Sequence, residues 1–158
     1  MEQFKTLQDI REYLSVLAKW FARPVVEGEH PTLYLNSGSS NREVVHGIQR
    51  GDYIFSACGN WILPSLDHGL SFSGHWQHLK GIHRMKSKRN PGKSVSVYWI
   101  LEHADIPTGL EFVVDPRDKK KQHFLLAVNT RMTVSELRSK LEWVADRMSV
   151  IRDAQRAL

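Results

Sequence analysis

Residues 110–128 read LEFVVDPRDKKKQHFLLAV, and this stretch decides the fold. Two apolar runs, Leu110–Val114 and His123–Val128, flank a polar segment at 115–121. Strand-forming residues on both sides of a polar turn predict a β-hairpin. The stretch therefore indicates that the chain contains a sheet in which neighbouring strands run antiparallel.

Amphipathic helices are predicted before and after this hairpin. Apolar residues recur at helical spacing from Phe4 to Phe21, and this helix is predicted to end before Pro24. A second helix is predicted from His75 to Met85. Thr133-Val134-Ser135-Glu136 has the form of a capping box, and the apolar residues after it predict a closing helix that continues to Ile151.

The order of the elements indicates the fold class. Strands and helices do not alternate as βαβ units throughout the chain, so we expect an α+β fold with a mixed or antiparallel central sheet and flanking helices. The other predicted elements are strands at 32–35, 52–57 and 94–101, a short strand or turn at 70–73, a helix at 40–49, an irregular connection at 59–69 and a basic loop at 86–93.

Length and composition limit the class of protein. A chain of 158 residues predicts one domain that covers residues 1–158. The start, Met1–Lys5, lacks the pattern of a secretory signal, and no apolar run approaches the roughly 20 residues that span a bilayer. Cys58 is the only cysteine, and without charged neighbours it is interpreted as buried or inert. We therefore expect a cytoplasmic protein with no disulfide and no membrane span.

The charge of the chain favours anionic partners. Lys and Arg number 22 against 17 Asp and Glu, and basic runs occur at 84–93 and 117–121. With Trp76 or Tyr98 as stacking platforms, these loops could follow a phosphate backbone. One hypothesis is therefore a basic RNA-binding module or a metal-independent ribonuclease. The alternative is that both runs are ordinary solvated loops.

Histidines concentrate between residues 68 and 83. His75 and His78 are three positions apart on a predicted helical face, a spacing that could serve a metal ion. Neither cysteines nor a close run of carboxylates complete a ligand set, so no metal site is predicted. The common phosphate-loop, dinucleotide-binding, zinc-protease and serine-hydrolase motifs are also missing from the sequence.

The segment Gly69-Leu70-Ser71-Phe72-Ser73 places an aromatic ring between two hydroxyl groups. Such a ring can support a planar heterocycle, and a neighbouring serine can bind a ribose hydroxyl. The alternative is an ordinary strand end with Phe72 in the core. Residue spacing alone favours this alternative.

Four segments of the C-terminal half carry a family pattern: DIPTGLEF at 105–112, Asp115, HFLL at 123–126, and Met132 with the helix after it. They resemble the C-terminal region of the ADP-ribosyltransferase-like effector toxins associated with type VI secretion. Leu33-Tyr34 and the Ser-Phe-Ser segment resemble two upstream elements of the same family. The resemblance implies an ADP-ribosyltransferase-like fold, NAD as cofactor, a cytoplasmic target and a cognate immunity protein as partner.

The resemblance also implies the roles of individual residues. Glu111 would be the carboxylate that stabilises positive charge on the ribose while the bond to nicotinamide breaks, with Asp105 and Asp115 as competing candidates. His123 would bind ribose or pack in the fold. The residues implied to bind NAD are Tyr34, Ser71, Phe72 and Ser73.

One position departs from the family pattern. Related toxins often carry an arginine directly after the Leu-Tyr pair, and Leu35 stands there in this chain. The missing charge could come from Arg42, Arg84 or Lys86. A further alternative is a catalytically inactive domain of the same fold that only binds protein.

Overall fold

A computed structural model describes residues 7–17, 19–29, 44–102 and 104–151 of the chain. Within these ranges three helices and eleven strands follow one another. They are α1 (Leu7–Ser15), β1 (Trp20–Val26), β2 (Val44–Val45), β3 (Ile48–Gln49), β4 (Ile54–Phe55), β5 (Trp61–Leu63), β6 (Ser65–Ser73), α2 (Trp76–Arg89), β7 (Val95–Leu101), β8 (Leu110–Val114), β9 (His123–Val128), β10 (Met132–Thr133), α3 (Val134–Arg147) and β11 (Ser149–Ile151).

The chain divides into two compact units. The first unit contains α1, β1, α2, β7 and β11, and the second contains β2 to β5, β8 to β10 and α3. Strand β6 contributes to both, because its residues 65–71 belong to the second unit whereas Phe72 and Ser73 belong to the first.

Strand β1 organises the first unit. It pairs antiparallel with β7 along its whole length, from Trp20 opposite Leu101 to Val26 opposite Val95. The last residue of β6, Ser73, pairs with Ala22 on the other side of β1. Strand β11 pairs antiparallel with β7. The order of strands in this unit is therefore β11-β7-β1 followed by the end of β6.

One face of β1 and β7 is covered by the two helices of the first unit. Ala22 and Trp99 pack with Leu14 of α1 and Leu79 of α2 in the hydrophobic core. The ring of Tyr13 meets Trp99 edge-on, with 5.7 Å between the ring centroids. Side chains alternate along a strand, so the neighbours of Ala22 on β1 point to the opposite face.

The hairpin of β8 and β9 is the main sheet element of the second unit. Its register runs from Leu110 opposite Val128 to Val114 opposite Phe124, with the bounds that the sequence predicts. Gly69 of β6 lies so close to β9 that a side chain there would overlap the carbonyl oxygen of Leu126. The hydroxyl of Tyr53 donates a hydrogen bond of 2.8 Å to the same oxygen.

Helix α3 begins at the predicted capping box. The hydroxyl oxygen of Thr133 accepts a hydrogen bond of 3.1 Å from the backbone N–H of Glu136. Leu137, Leu141 and Val144 recur at spacings of three and four and are fully buried. The helix nevertheless ends at Arg147, and residues 149–151 form β11, so the predicted continuation as helix to Ile151 is wrong.

The predicted helix from Phe4 to Phe21 is wrong in its second half. Helix α1 ends at Ser15, and Phe21 lies in β1. The apolar spacing continues past the helix, but Trp20, Phe21 and the β-branched pair at 25–26 gain a pairing partner in β7. The pairing with a distant strand overrides the local helical pattern.

The predicted helix at 40–49 is also wrong in its described part. Val44–Val45 and Ile48–Gln49 pair as two short antiparallel strands. The two residues between them, His46 and Gly47, have φ values of 50° and 86°. A two-residue turn with both φ values positive is the preferred connection of a tight hairpin. The predicted strand at 32–35 and the first four residues of the predicted helix, 40–43, lie outside the described residues.

The segment at 59–69 is more regular than predicted. It contains β5 and the first half of β6, so the predicted irregular connection is wrong. Strand β5 pairs antiparallel with β4 and with β10. Helix α2 runs on from the predicted end at Met85 to Arg89, so half of the predicted basic loop is helical.

The described residues form an α+β fold in which the strands pair mostly antiparallel, as the sequence predicts. The finer assignment to an ADP-ribosyltransferase-like fold stays a prediction. Across the described ranges, no helix combines the length and the apolar character that a membrane crossing requires.

Candidate functional site

Arg23 on β1 carries a buried guanidinium without a hydrogen-bond partner for two of its nitrogens. The residue is 9% exposed, and Nε and Nη1 have no acceptor within the described part of the chain. The guanidinium carbon lies 5.5 Å from the centroid of the Phe72 ring. The ring face attracts the cation but does not replace an oxygen acceptor, and each unsatisfied buried donor costs about 1–3 kcal/mol. Nε and Nη1 of Arg23 thus have no acceptor among the described residues.

The register of the first unit explains why Arg23 and Phe72 meet. Ala22 pairs with Ser73, so these two side chains share the face that the helices cover. The adjacent residues, Arg23 on β1 and Phe72 on β6, point to the other face of their strands. Phe72 is 1% exposed, so it is a core residue whose ring contacts the arginine.

The other predicted cofactor-binding residues have different environments. Ser73 is buried, and its hydroxyl lies within hydrogen-bond distance of Nδ1 of His78 on α2. Ser71 is exposed and belongs to the second unit. Tyr34 lies outside the described residues. Within the first unit the structure thus brings together Phe72 and Arg23, while Ser73 points to the helix-covered face.

Glu111 and His123, the two predicted catalytic residues, lie far apart on the β8–β9 hairpin. Glu111 pairs with Ala127, four positions along β9 from His123, a separation of about 13 Å along the strand. The side-chain amide of Asn129 donates a hydrogen bond of 3.0 Å to Oε1 of Glu111. The two residues therefore do not form a joint acid–base pair.

His123 instead forms a pair with Asp115, one of the competing carboxylates. Nδ1 of His123 lies 2.8 Å from Oδ2 of Asp115, which is 4% exposed. Nε and the backbone N–H of Arg117 each donate to Oδ1 of the same carboxylate at 3.0 Å. Burial alone would raise the pKa of Asp115, but the hydrogen bonds from Arg117 and His123 outweigh it and hold that pKa below its ordinary value.

A second carboxylate fixes the same turn. Oδ2 of Asp118 accepts backbone hydrogen bonds from Gln122 at 2.8 Å and from His123 at 2.7 Å, and Oδ1 accepts one from Lys120 at 3.1 Å. Both aspartates of the turn are therefore engaged in internal hydrogen bonds. The predicted role of His123 as a ribose ligand stays a prediction, whereas its contact with Asp115 is a structural one.

The residues that were proposed from sequence to replace the missing arginine differ from Arg23 in their environment: none of those described is a buried cation without an acceptor. Arg42 lies outside the described residues, and Arg84 is exposed on α2. Nζ of Lys86 donates a hydrogen bond of 2.8 Å to the carbonyl oxygen of Pro24. Sequence reasoning missed Arg23 because it stood just beyond a predicted helix. The strand-forming residues on both sides of it were the signal that could have indicated a strand.

The histidines between 68 and 83 have separate structural roles. His75 caps α2, where Nδ1 accepts a hydrogen bond of 3.2 Å from the backbone N–H of Gln77. Nδ1 of His68 lies 2.9 Å from the hydroxyl oxygen of Ser65. Burial lowers the pKa of His83, and the backbone of Val95 opposes this only in part. In the ranges that the structure covers, no group of three or more His, Cys, Asp and Glu side chains could hold a metal ion.

Cys58 differs from its interpretation as a buried or inert thiol. It is exposed, and its sulfur lies 3.3 Å from the hydroxyl oxygen of Ser56. This hydrogen bond, followed by one from the backbone of Asn60, lowers the pKa of the thiol. The interpretation as buried is therefore wrong, while the interpretation as inert stays a prediction. Hydrogen bonds from Ser56 and Asn60 contribute most to the lower pKa, and the charge of Arg131 adds to them.

The resemblance to ADP-ribosyltransferase-like toxins depends on short segments of sequence, such as residues 105–112. The cofactor, the activity and the partners that it implies therefore stay predictions. No protein-family model, no curated protein and no solved structure matches the chain.

Proposed function

We propose that the chain is an NAD-using, ADP-ribosyltransferase-like toxin that acts on a cytoplasmic target and is neutralised by an immunity protein. The observation that supports it is the guanidinium of Arg23, which is buried and lacks acceptors for Nε and Nη1 among the described residues. The resemblance of residues 105–112 and 123–126 supplies the reaction class and the carboxylate.

Arg23 fits a phosphate group of NAD. Phosphate oxygens accept the charge-assisted hydrogen bonds that a guanidinium donates, and such bonds strengthen away from water. Burying a cation without a partner costs free energy, and an anionic ligand that pairs with the guanidinium would offset this cost. Arg23 thus supplies the positive charge that Leu35 cannot provide in the family pattern. Phe72 holds the guanidinium from one side.

NAD, when bound, supplies the ADP-ribosyl group. The resemblance implies Glu111 as the carboxylate, and within the second unit the bond of 3.0 Å from the amide of Asn129 fixes one of its oxygens. A carboxylate that is already oriented stabilises a developing positive charge without reorganisation. Asp115 is a poorer candidate, because Arg117 and His123 already use both of its oxygens.

The test separates cofactor binding from catalysis. We expect wild-type protein to bind NAD in isothermal titration calorimetry and Arg23→Met to lose that binding. Arg84→Met removes the same charge from an exposed position of the first unit and should bind as wild type. Glu111→Gln should bind NAD but release no nicotinamide from it. Absence of NAD binding by the wild-type protein would refute the proposal.

Toxicity provides the second measurement. Expression of the wild-type chain without an immunity protein should slow the growth of a bacterial host, and Glu111→Gln should restore growth. Glu142→Gln, a neutralisation on α3 outside the proposed site, is the matched control and should remain toxic. Equal toxicity of the Glu111 and Glu142 variants, with both folded, would exclude Glu111 from the mechanism.

A further inference from the structure

Residues 115–122 connect β8 to β9, and we name this connection the basic turn. Its acidic side chains are hydrogen-bonded within the turn, whereas its lysine side chains are exposed to solvent. Lys119, Lys120 and Lys121 are all exposed. Asp115 is buried, and the oxygens of Asp118 accept hydrogen bonds from the turn's own backbone. Both negative charges are thus occupied inside the turn while three consecutive positive charges face solvent.

The shape of the basic turn is fixed before any partner binds. Backbone hydrogen bonds join Asp118 to Asp115 at 3.0 Å and Lys121 to Asp118 at 3.2 Å. Lys121 has a φ of 56°, a left-handed conformation that costs a residue with a side chain about 1–2 kcal/mol. The hydrogen bonds that Asp118 accepts offset this cost. An ordered turn loses little conformational entropy when it binds a partner.

Arg117 belongs to the turn but is not part of the solvent-facing set. Its guanidinium is hydrogen-bonded to Asp115, and this carboxylate, followed by the more distant Asp67, raises the pKa of Arg117. The charge of Arg117 is therefore partly balanced. The three lysines are the residues that remain to recognise an anionic partner.

We propose that the basic turn binds the phosphate backbone of a nucleic acid. Lysine ammonium groups act as point charges toward phosphates and need no shaped pocket. Protein partners, by contrast, dock mainly through buried aromatic and apolar anchors. Among the described residues that adjoin the turn in sequence, Val114 is the one exposed large apolar residue, with 38% of its surface accessible. This surface therefore suits a nucleic acid better than an acidic protein.

The proposal does not depend on NAD and can be tested separately. Fluorescence anisotropy with a labelled single-stranded RNA, and with DNA of the same sequence, should show binding that weakens steeply with salt. Each lost phosphate contact on a single strand reduces the magnitude of the negative slope of log K against log salt by about 0.7, so K119A/K120A/K121A should reduce that magnitude by about 2. Affinity at low salt should fall by at least about tenfold.

A matched variant controls for net charge. K88A/R89A/K93A removes the same number of exposed positive charges from the first unit and should keep the wild-type slope and affinity. Equal weakening by the two triple variants would overturn the proposal, as would no binding by the wild type at low salt. Displacement of the RNA by polyglutamate at equal charge concentration would also overturn it in favour of an acidic protein. The difference in affinity between RNA and DNA shows which of the two nucleic acids the basic turn binds more tightly.

Discussion

Nδ1 of His123 lies 2.8 Å from Oδ2 of Asp115, and this contact joins the end of β8 to the start of β9. The carboxylate also accepts two hydrogen bonds from Arg117. Asp115→Asn removes the charge and one acceptor in a buried position, so we expect the free energy of unfolding to fall by about 1.5–3 kcal/mol. Urea denaturation measures this change. Asp146→Asn, at an exposed position of α3, should change it by less than about 0.5 kcal/mol.

The same carboxylate makes the hairpin sensitive to acid. Its pKa in the folded state lies below the unfolded value of about 3.9, so its contribution to stability is complete above that value. The contribution is lost as the pH falls through the folded pKa. The stability difference between wild type and Asp115→Asn should therefore shrink below about pH 4. A difference that stays constant from neutral pH to pH 3 would contradict this role of Asp115.

Local patterns predicted the parts of the fold that local interactions determine. The β8–β9 hairpin and the capping box at Thr133 depend on residues close in sequence, and both were predicted correctly. The strand from Trp20 to Val26 pairs with residues 69 to 81 positions away, which no local window contains. Its helical spacing was therefore misleading, and Arg23 was lost from the candidate residues with it.

The site residues show the same division. Asp115 and His123 could both be selected from sequence, because both are titratable residues at the ends of a turn that the strand pattern predicts. Their direct contact could not be predicted, because it depends on the register of the two strands and on the conformation of the turn. Burial of Arg23 without acceptors is a property of packing and leaves no pattern in the sequence.

His83 gives the first unit a separate pH dependence. It is 0% exposed, and burial lowers its pKa below the unfolded value of about 6.5. Because the unfolded chain then binds the proton more readily, stability should decrease as the pH falls below about 6.5, by at most about 1.4 kcal/mol per pH unit. Stability curves in urea between pH 7.5 and pH 5 measure the slope.

Two variants isolate the contribution of His83 to that slope. His83→Leu removes the titrating group from the core and should flatten the curve. His75→Asn keeps a capping side chain at the start of α2 and should keep the wild-type slope. A His83→Leu protein with an unchanged slope would assign the pH dependence to other groups.

Gly69 and Gly81 should respond in opposite directions to alanine. A methyl group at Gly69 would overlap the backbone carbonyl of Leu126, so β6 or β9 must shift, and we expect a loss of about 1–3 kcal/mol. Gly81 lies inside α2 with open space around its Cα, and alanine there should add about 0.5–1 kcal/mol. Thermal and urea unfolding of both variants test the pair. Equal effects of the two substitutions would show that β6 and β9 are not packed so closely.

Arg23→Met should make the protein more stable, although it removes a contact. The substitution gives up an attraction to Phe72 worth about 1 kcal/mol, but it also removes two buried donors that cost about 1–3 kcal/mol each. We expect a net gain of about 1–5 kcal/mol in urea denaturation, compared with no more than about 0.5 kcal/mol for the exposed Arg84→Met. Saturating NAD should reduce the difference in the free energy of unfolding between Arg23→Met and wild type, because NAD stabilises only the protein that binds it. A folded Arg23→Met protein that is less stable than wild type would mean that the guanidinium already has its partners and is not held ready for an anion.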